Sequence, residues 1–138
     1  MYSASLIIAS TFLLLILGTT HLIFTFVGSK FYPRDISVKD KMDATSPVIT
    51  SQTTVWRAWL GFNASHSIGV ITFSLLYLYL SLIHPDFLFK SYFLIIIGAL
   101  VIFSYIVLSK LYWFKVPLFT TAFSFFLYCL GAILGLHF

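Results

Sequence analysis

The chain has 138 residues, 60% hydrophobic and 9% charged, with a formal net charge of +4. Ordinary soluble domains are about 25% charged, so the composition excludes a soluble globular domain and points to a single membrane domain. The excess of bases does not indicate a nucleic-acid partner, because the bases sit in short segments between long uncharged runs.

Residues 1–29, 58–83, 91–109 and 116–138 contain no Asp, Glu, Lys or Arg, which makes uncharged runs of 29, 26, 19 and 23 residues. A spanning helix needs about 20 apolar residues. The pattern predicts an all-α membrane fold, a four-helix transmembrane bundle in one domain over 1–138. Its helices fall at about 4–28, 53–83, 87–109 and 116–136, with a loop over 29–52.

The first helix is expected to remain as a span. It lacks a basic leader, and its apolar run is longer than the roughly 15 residues of a signal-peptide core. Its second half turns polar. Gly18, His21, Thr25 and Gly28 follow steps of three, four and three, which places them on one helical face. Leucines and isoleucines fill the rest.

The loop carries Lys30, Arg34, Lys39 and Lys41 with Asp35, Asp40 and Asp43. Ser37-Val38-Lys39-Asp40 matches a capping box with Asp in place of Glu. A short helix over about 38–44 follows, lying on the membrane surface with Val38 and Met42 inward. Pro47 ends it. The run Thr50-Ser51-Gln52-Thr53-Thr54 offers N-caps to the second helix.

That second helix opens with Trp56-Arg57-Ala58-Trp59-Leu60-Gly61-Phe62-Asn63-Ala64-Ser65-His66-Ser67. Polar side chains at membrane depth must find partners. One stripe holds Asn63, His66, Ser67, Val70 and Ser74. The adjacent stripe, Gly61, Ser65 and Gly69, is a small-residue ladder that lets a partner helix come close. His21, Thr25, or Thr121, Ser124 and Tyr128 of the fourth helix are expected to satisfy the polar stripe. The helix stops at His84-Pro85-Asp86, a triplet shared with J-domain co-chaperones but read here as a turn between membrane helices.

The third helix is the least polar, with Gly98, Ala99, Ile102, Tyr105 and Ser109 on its inner face. A basic turn from Lys110 to Lys115 leads to Pro117 in the first turn of the fourth helix. That helix carries Thr120, Thr121, Ser124, Tyr128 and Ala132, with Gly131 and Gly135 as a second packing ladder. The lone cysteine, Cys129, excludes an internal disulfide and reads as a packing residue.

Seven of the eight bases lie in the first and third connections, leaving Lys90 opposite. The positive-inside rule makes the first loop cytoplasmic and puts both termini on the non-cytoplasmic side. Trp56, Trp59 and Trp113 then mark the cytoplasmic boundary as an aromatic belt.

At about 1.5 Å per residue, His21 and His66 lie at one depth, roughly 10–15 Å in, on consecutive antiparallel helices. The candidate ligand-binding residues are His21, Thr25, Asn63, His66 and Arg57. Interhelical hydrogen bonding is the plainest account of them. A lipid or quinone pocket between helices one and two is a second account. A haem or metal held by His21 and His66 is a third. Catalysis lacks a carboxylate, since no Asp or Glu falls within the uncharged runs. Arg57 can snorkel to the headgroups or help bind an anionic lipid.

Gly18-Thr19-Thr20-His21 and the Trp56–Ser67 stretch resemble a family of uncharacterised bacterial four-helix integral membrane proteins of about this length. The resemblance implies a bacterial inner-membrane location and no particular ligand. The layout is also similar to the MAPEG group of glutathione- and eicosanoid-handling membrane enzymes. The second helix of that group carries an Arg, Asn and Glu motif; here Arg57 and Asn63 stand at another spacing and the Glu is missing. The expected function is a non-catalytic accessory or interaction subunit that packs against other membrane helices or a second copy. A ligand-binding bundle and a MAPEG-like enzyme are the alternatives.

Overall fold

The computed structural model describes residues 2–136. The described residues form six helices and no strand: α1 Tyr2–Phe26, α2 Ile36–Ala44, α3 Val55–Ile83, α4 Pro85–Lys90, α5 Tyr92–Tyr112 and α6 Lys115–Leu136. Four of them, α1, α3, α5 and α6, are long and apolar enough to cross a membrane.

Local chemistry sets the boundaries. Beyond α1, Gly28 takes a left-handed conformation with φ of 81°, the cap for which glycine is suited. The cap of α2 is not Ser37. Asp35 supplies it, its carboxylate accepting the Ser37 N–H at 2.9 Å. A charged acceptor makes the stronger cap bond and starts the helix two residues sooner. Val38, expected to face inward, is exposed, and Met42 is half-buried. Thr54 opens α3, its hydroxyl accepting the Arg57 N–H at 3.2 Å.

The third span starts later than its apolar pattern predicts. Pro85 sits at the first position of the separate short helix α4, where a missing N–H costs nothing. Ser91 then breaks the chain and recaps it, accepting the Leu94 N–H at 3.3 Å. α5 continues to Tyr112, with Lys110 in its last turn, where a cation suits the helix dipole.

The chain forms two compact units, one of residues 2–17 and 70–136 and one of residues 18–69. In the first, Ile7, Leu14, Tyr77, Leu88, Ile95, Ile102 and Tyr128 make a continuous core. The expected inner face of α5 is inward: Gly98, Ile102 and Ser109 are buried, Ala99 and Tyr105 half-buried. Ser10 on α1 and Ser124 on α6 bond reciprocally. The Ser10 hydroxyl donates to the Ser124 carbonyl at 2.8 Å, and the Ser124 hydroxyl donates to the Ser10 carbonyl at 3.1 Å. The Tyr77 hydroxyl donates to the Leu94 carbonyl at 2.6 Å and the Tyr128 hydroxyl to the Ile95 carbonyl at 3.2 Å. The Thr121 hydroxyl turns back to the Pro117 carbonyl at 2.8 Å. Thr121, Ser124 and Tyr128 thus bond backbone carbonyls within the first unit.

The α6 ladder is used inside the chain. A Cβ at Gly131 would lie 2.8 Å from the Ser3 carbonyl oxygen and 2.9 Å from Ile7 Cγ1, and one at Gly135 would strike the Phe89 ring. Gly131 and Gly135 thus seat α1 and α4, and this face is not open to an outside helix.

Candidate functional site

The second unit contains the C-terminal turns of α1, the connection with α2, and the first half of α3. Its centre is a hydrogen bond between spans. His21 Nε2 lies 3.1 Å from Asn63 Oδ1. The Asn63 amide group is fixed from behind, its Nδ2 donating to the Trp59 carbonyl at 2.8 Å. Only Oδ1 is left toward His21, so the imidazole donates from Nε2–H. The His66 ring stands edge-on, 5.5 Å from that of His21 at 69°. The Phe31 ring lies 4.6 Å from that of His21, tilted by 52°.

The hydroxyls nearby serve their own helices. Thr25 donates to the His21 carbonyl at 2.8 Å, Ser67 to the Asn63 carbonyl at 2.9 Å, and Ser65 to the Phe62 carbonyl at 3.0 Å. Such back-bonding is what Ser and Thr do inside apolar helices. It means Thr25, though buried, makes no bond to Asn63. Arg57 is exposed, and its guanidinium makes no hydrogen bond or ion pair with the cluster. His21, Asn63 and His66 come together; Thr25 lies beside them without joining the network, and Arg57 stands apart.

Iron or zinc would need the Nε2 of His21 released from Asn63, or its Nδ1 turned to the metal. Among the described residues, no group of three or more His, Cys, Asp or Glu could hold a metal ion. The donor set is two imidazoles and an amide, which can order two helices or orient a polar group but holds no carboxylate base.

A second feature, which the sequence pattern does not announce, ties down α2. The Lys39 ammonium lies 5.4 Å from the Trp56 ring and 5.8 Å from the Tyr32 ring, and pairs with Asp43 at 2.9 Å. The Asp43 bond raises the Lys39 pKa above its ordinary value. Tyr32 and Trp56 meet edge-on at 5.0 Å. Trp56 is buried at 6% exposure, covered by this clamp. The one signal for it in the sequence is the i,i+4 spacing of Lys39 and Asp43.

The small-residue stripe of α3 has a different setting. Beyond its chain neighbours and its own helix backbone, no described atom lies within 4 Å of where a Cβ on Gly61 would be. Ser65 and Gly69 are exposed as well, as are Ala58, Phe62 and Ile68.

Truncating the central bond gives a measurable effect. Measured couplings between polar side chains on membrane helices average about 0.6 kcal/mol and reach about 1.7. We expect a double-mutant cycle of His21→Leu and Asn63→Leu, read by reversible unfolding in detergent, to return a coupling in the upper half of that range. Additive single effects would show that the bond stabilises nothing.

Compared with known protein families, curated proteins and solved structures, the chain has no match.

Proposed function

We propose that the protein is a non-catalytic interaction subunit of a bacterial inner membrane, which docks a transmembrane helix of another subunit along Gly61, Ser65 and Gly69 of α3. The supporting observation is the open space at Gly61 with Ser65 and Gly69 exposed in line with it. Lipid tails are as apolar as leucine, so helices associate in a bilayer by close packing of small residues. The stripe leaves a shallow groove for an incoming backbone. Its one hydroxyl already bonds the Phe62 carbonyl, so lipid or protein can cover it without stranding a polar group. The His21–Asn63 bond, on this reading, stiffens the part of α3 that presents the groove.

The orientation proposed is four crossings, both termini outside, and the connection with α2 in the cytoplasm. Seven of eight bases support it through the positive-inside rule.

The test is photo-cross-linking in host membranes. Phe62, 76% exposed beside the groove, is replaced by a benzoyl-phenylalanine residue, and Leu100, 56% exposed on α5, serves as the comparison. A protein adduct of one defined mass from position 62 and lipid adducts from position 100 are expected. Lipid adducts alone from both positions would remove the docking face.

A further inference from the structure

The first unit has a cleft of 730 Å³ at the end where α1 begins and α6 finishes. That volume is within the range of small-molecule sites. Its walls have two characters. Ile8 of α1, Phe89 of α4 and Leu136 of α6 give an apolar side, while Asp86 and Lys90 of α4 line the same space. Phe89 can lie flat against α6 because Gly135 has no Cβ for the ring to strike.

Asp86 and Lys90 are one helical turn apart, a spacing at which an acid and a base ordinarily pair. They do not: among the described residues the ion pair is Lys39–Asp43. One anion and one cation therefore stand in a single cleft without each other. A third group is also without a partner. Ser81, at the cleft wall and 3% exposed, has a buried hydroxyl oxygen that bonds nothing. An orphaned buried hydroxyl costs free energy, and this one lies beneath the cleft wall.

The geometry points to a binding site for a zwitterionic amphiphile, a lipid whose headgroup carries both a phosphate and an ammonium. Lys90 takes the phosphate and Asp86 the ammonium. An acyl chain runs along Ile8, Phe89 and Leu136. A purely soluble ligand would leave that apolar wall wet, and a purely anionic lipid would meet Asp86 with like charge. The site is independent of the α3 groove, and either assignment can fail without the other.

The experiment titrates the delipidated full chain in detergent, followed by native mass spectrometry and by melting. The probes are dioleoyl phosphatidylethanolamine, dioleoyl phosphatidylglycerol and free phosphoethanolamine. The expected result is one ethanolamine lipid per chain, with a raised melting temperature. The glycerol lipid, which lacks the ammonium, and the free headgroup, which lacks the chain, should each bind at least about tenfold more weakly. Asp86→Asn should reduce the preference for the ethanolamine lipid over the glycerol lipid to near unity. Lys90→Gln should weaken both lipids together. Both residues are exposed, so both variants should melt like the parent when no lipid is added. Equal binding of the two lipids by the unmodified chain would overturn the site, as would free phosphoethanolamine binding as tightly as the lipid. These two comparisons use the unmodified chain, so they decide the matter even where a variant fails to fold.

Discussion

Gly98→Leu should leave the protein unable to reach its native fold. Gly98 is buried where the Tyr128 hydroxyl crosses α5, and a Cβ there would overlap that hydroxyl and lie 2.6 Å from Tyr128 Cζ and 2.8 Å from Tyr77 Cε1. The tyrosines cannot swing aside freely. Each is almost wholly buried, and each donates to a carbonyl of α5, Tyr77 to Leu94 and Tyr128 to Ile95. Making room would break one of those bonds inside an apolar interior, where an unpaired hydroxyl costs about 1–3 kcal/mol. Overpacking adds about 1–3 kcal/mol more. Gly98→Ala should cost about 1–3 kcal/mol by the overpacking scale alone, and Gly98→Leu should exceed it well enough to abolish the folded fraction. Unfolding by denaturing detergent measures both. A Gly98→Leu variant as stable as the parent would mean that α5 is not packed against Tyr77 of α3 and Tyr128 of α6.

Gly61→Leu should act in the opposite way. It meets open space, it lies within helix α3, and leucine is the better helix former by about 0.8 kcal/mol. The isolated chain should be at least as stable as the parent. Its association should be reduced at least about tenfold, the consequence of losing about 1.4 kcal/mol of close helix packing. Co-purification from host membranes reads the association, and melting of the purified chain reads the fold. Loss of stability without loss of association would show that Gly61 faces the interior of the protein. The pair of glycines makes a control: one is closed on by tyrosines, the other by no described residue beyond its own helix and chain neighbours.

The four spans are legible in the sequence because charge is expensive in hydrocarbon and the uncharged runs have the length of a bilayer. The meeting of His21 with Asn63 and His66 is legible too, since equal depth on consecutive helices places them side by side. What each hydroxyl does is not. Thr25 looks like a ligand on a helical wheel, but its Oγ1 finds the His21 carbonyl one turn back. Ser10 lies in an unremarkable apolar stretch, and its partner Ser124 is 114 residues away, a pairing that exists only once α1 meets α6. Trp56 has the composition and position of an interfacial tryptophan, yet Lys39 and Tyr32 cover it. The two glycine ladders carry the same spacing signature and have opposite fates. Spacing shows that a backbone can be approached there, and only the three-dimensional arrangement shows whether the chain supplies the approaching helix itself.

The most direct test of the docking role is native mass spectrometry of the unmodified protein, extracted from its own membranes in mild detergent. A docking α3 groove predicts a second, different polypeptide in fixed ratio that disappears with Gly61→Leu, and a complex made only of copies of this chain would contradict it. A bare single chain, under conditions gentle enough to keep lipids bound, would contradict it. The α3 stripe would then be no more than a lipid-covered face.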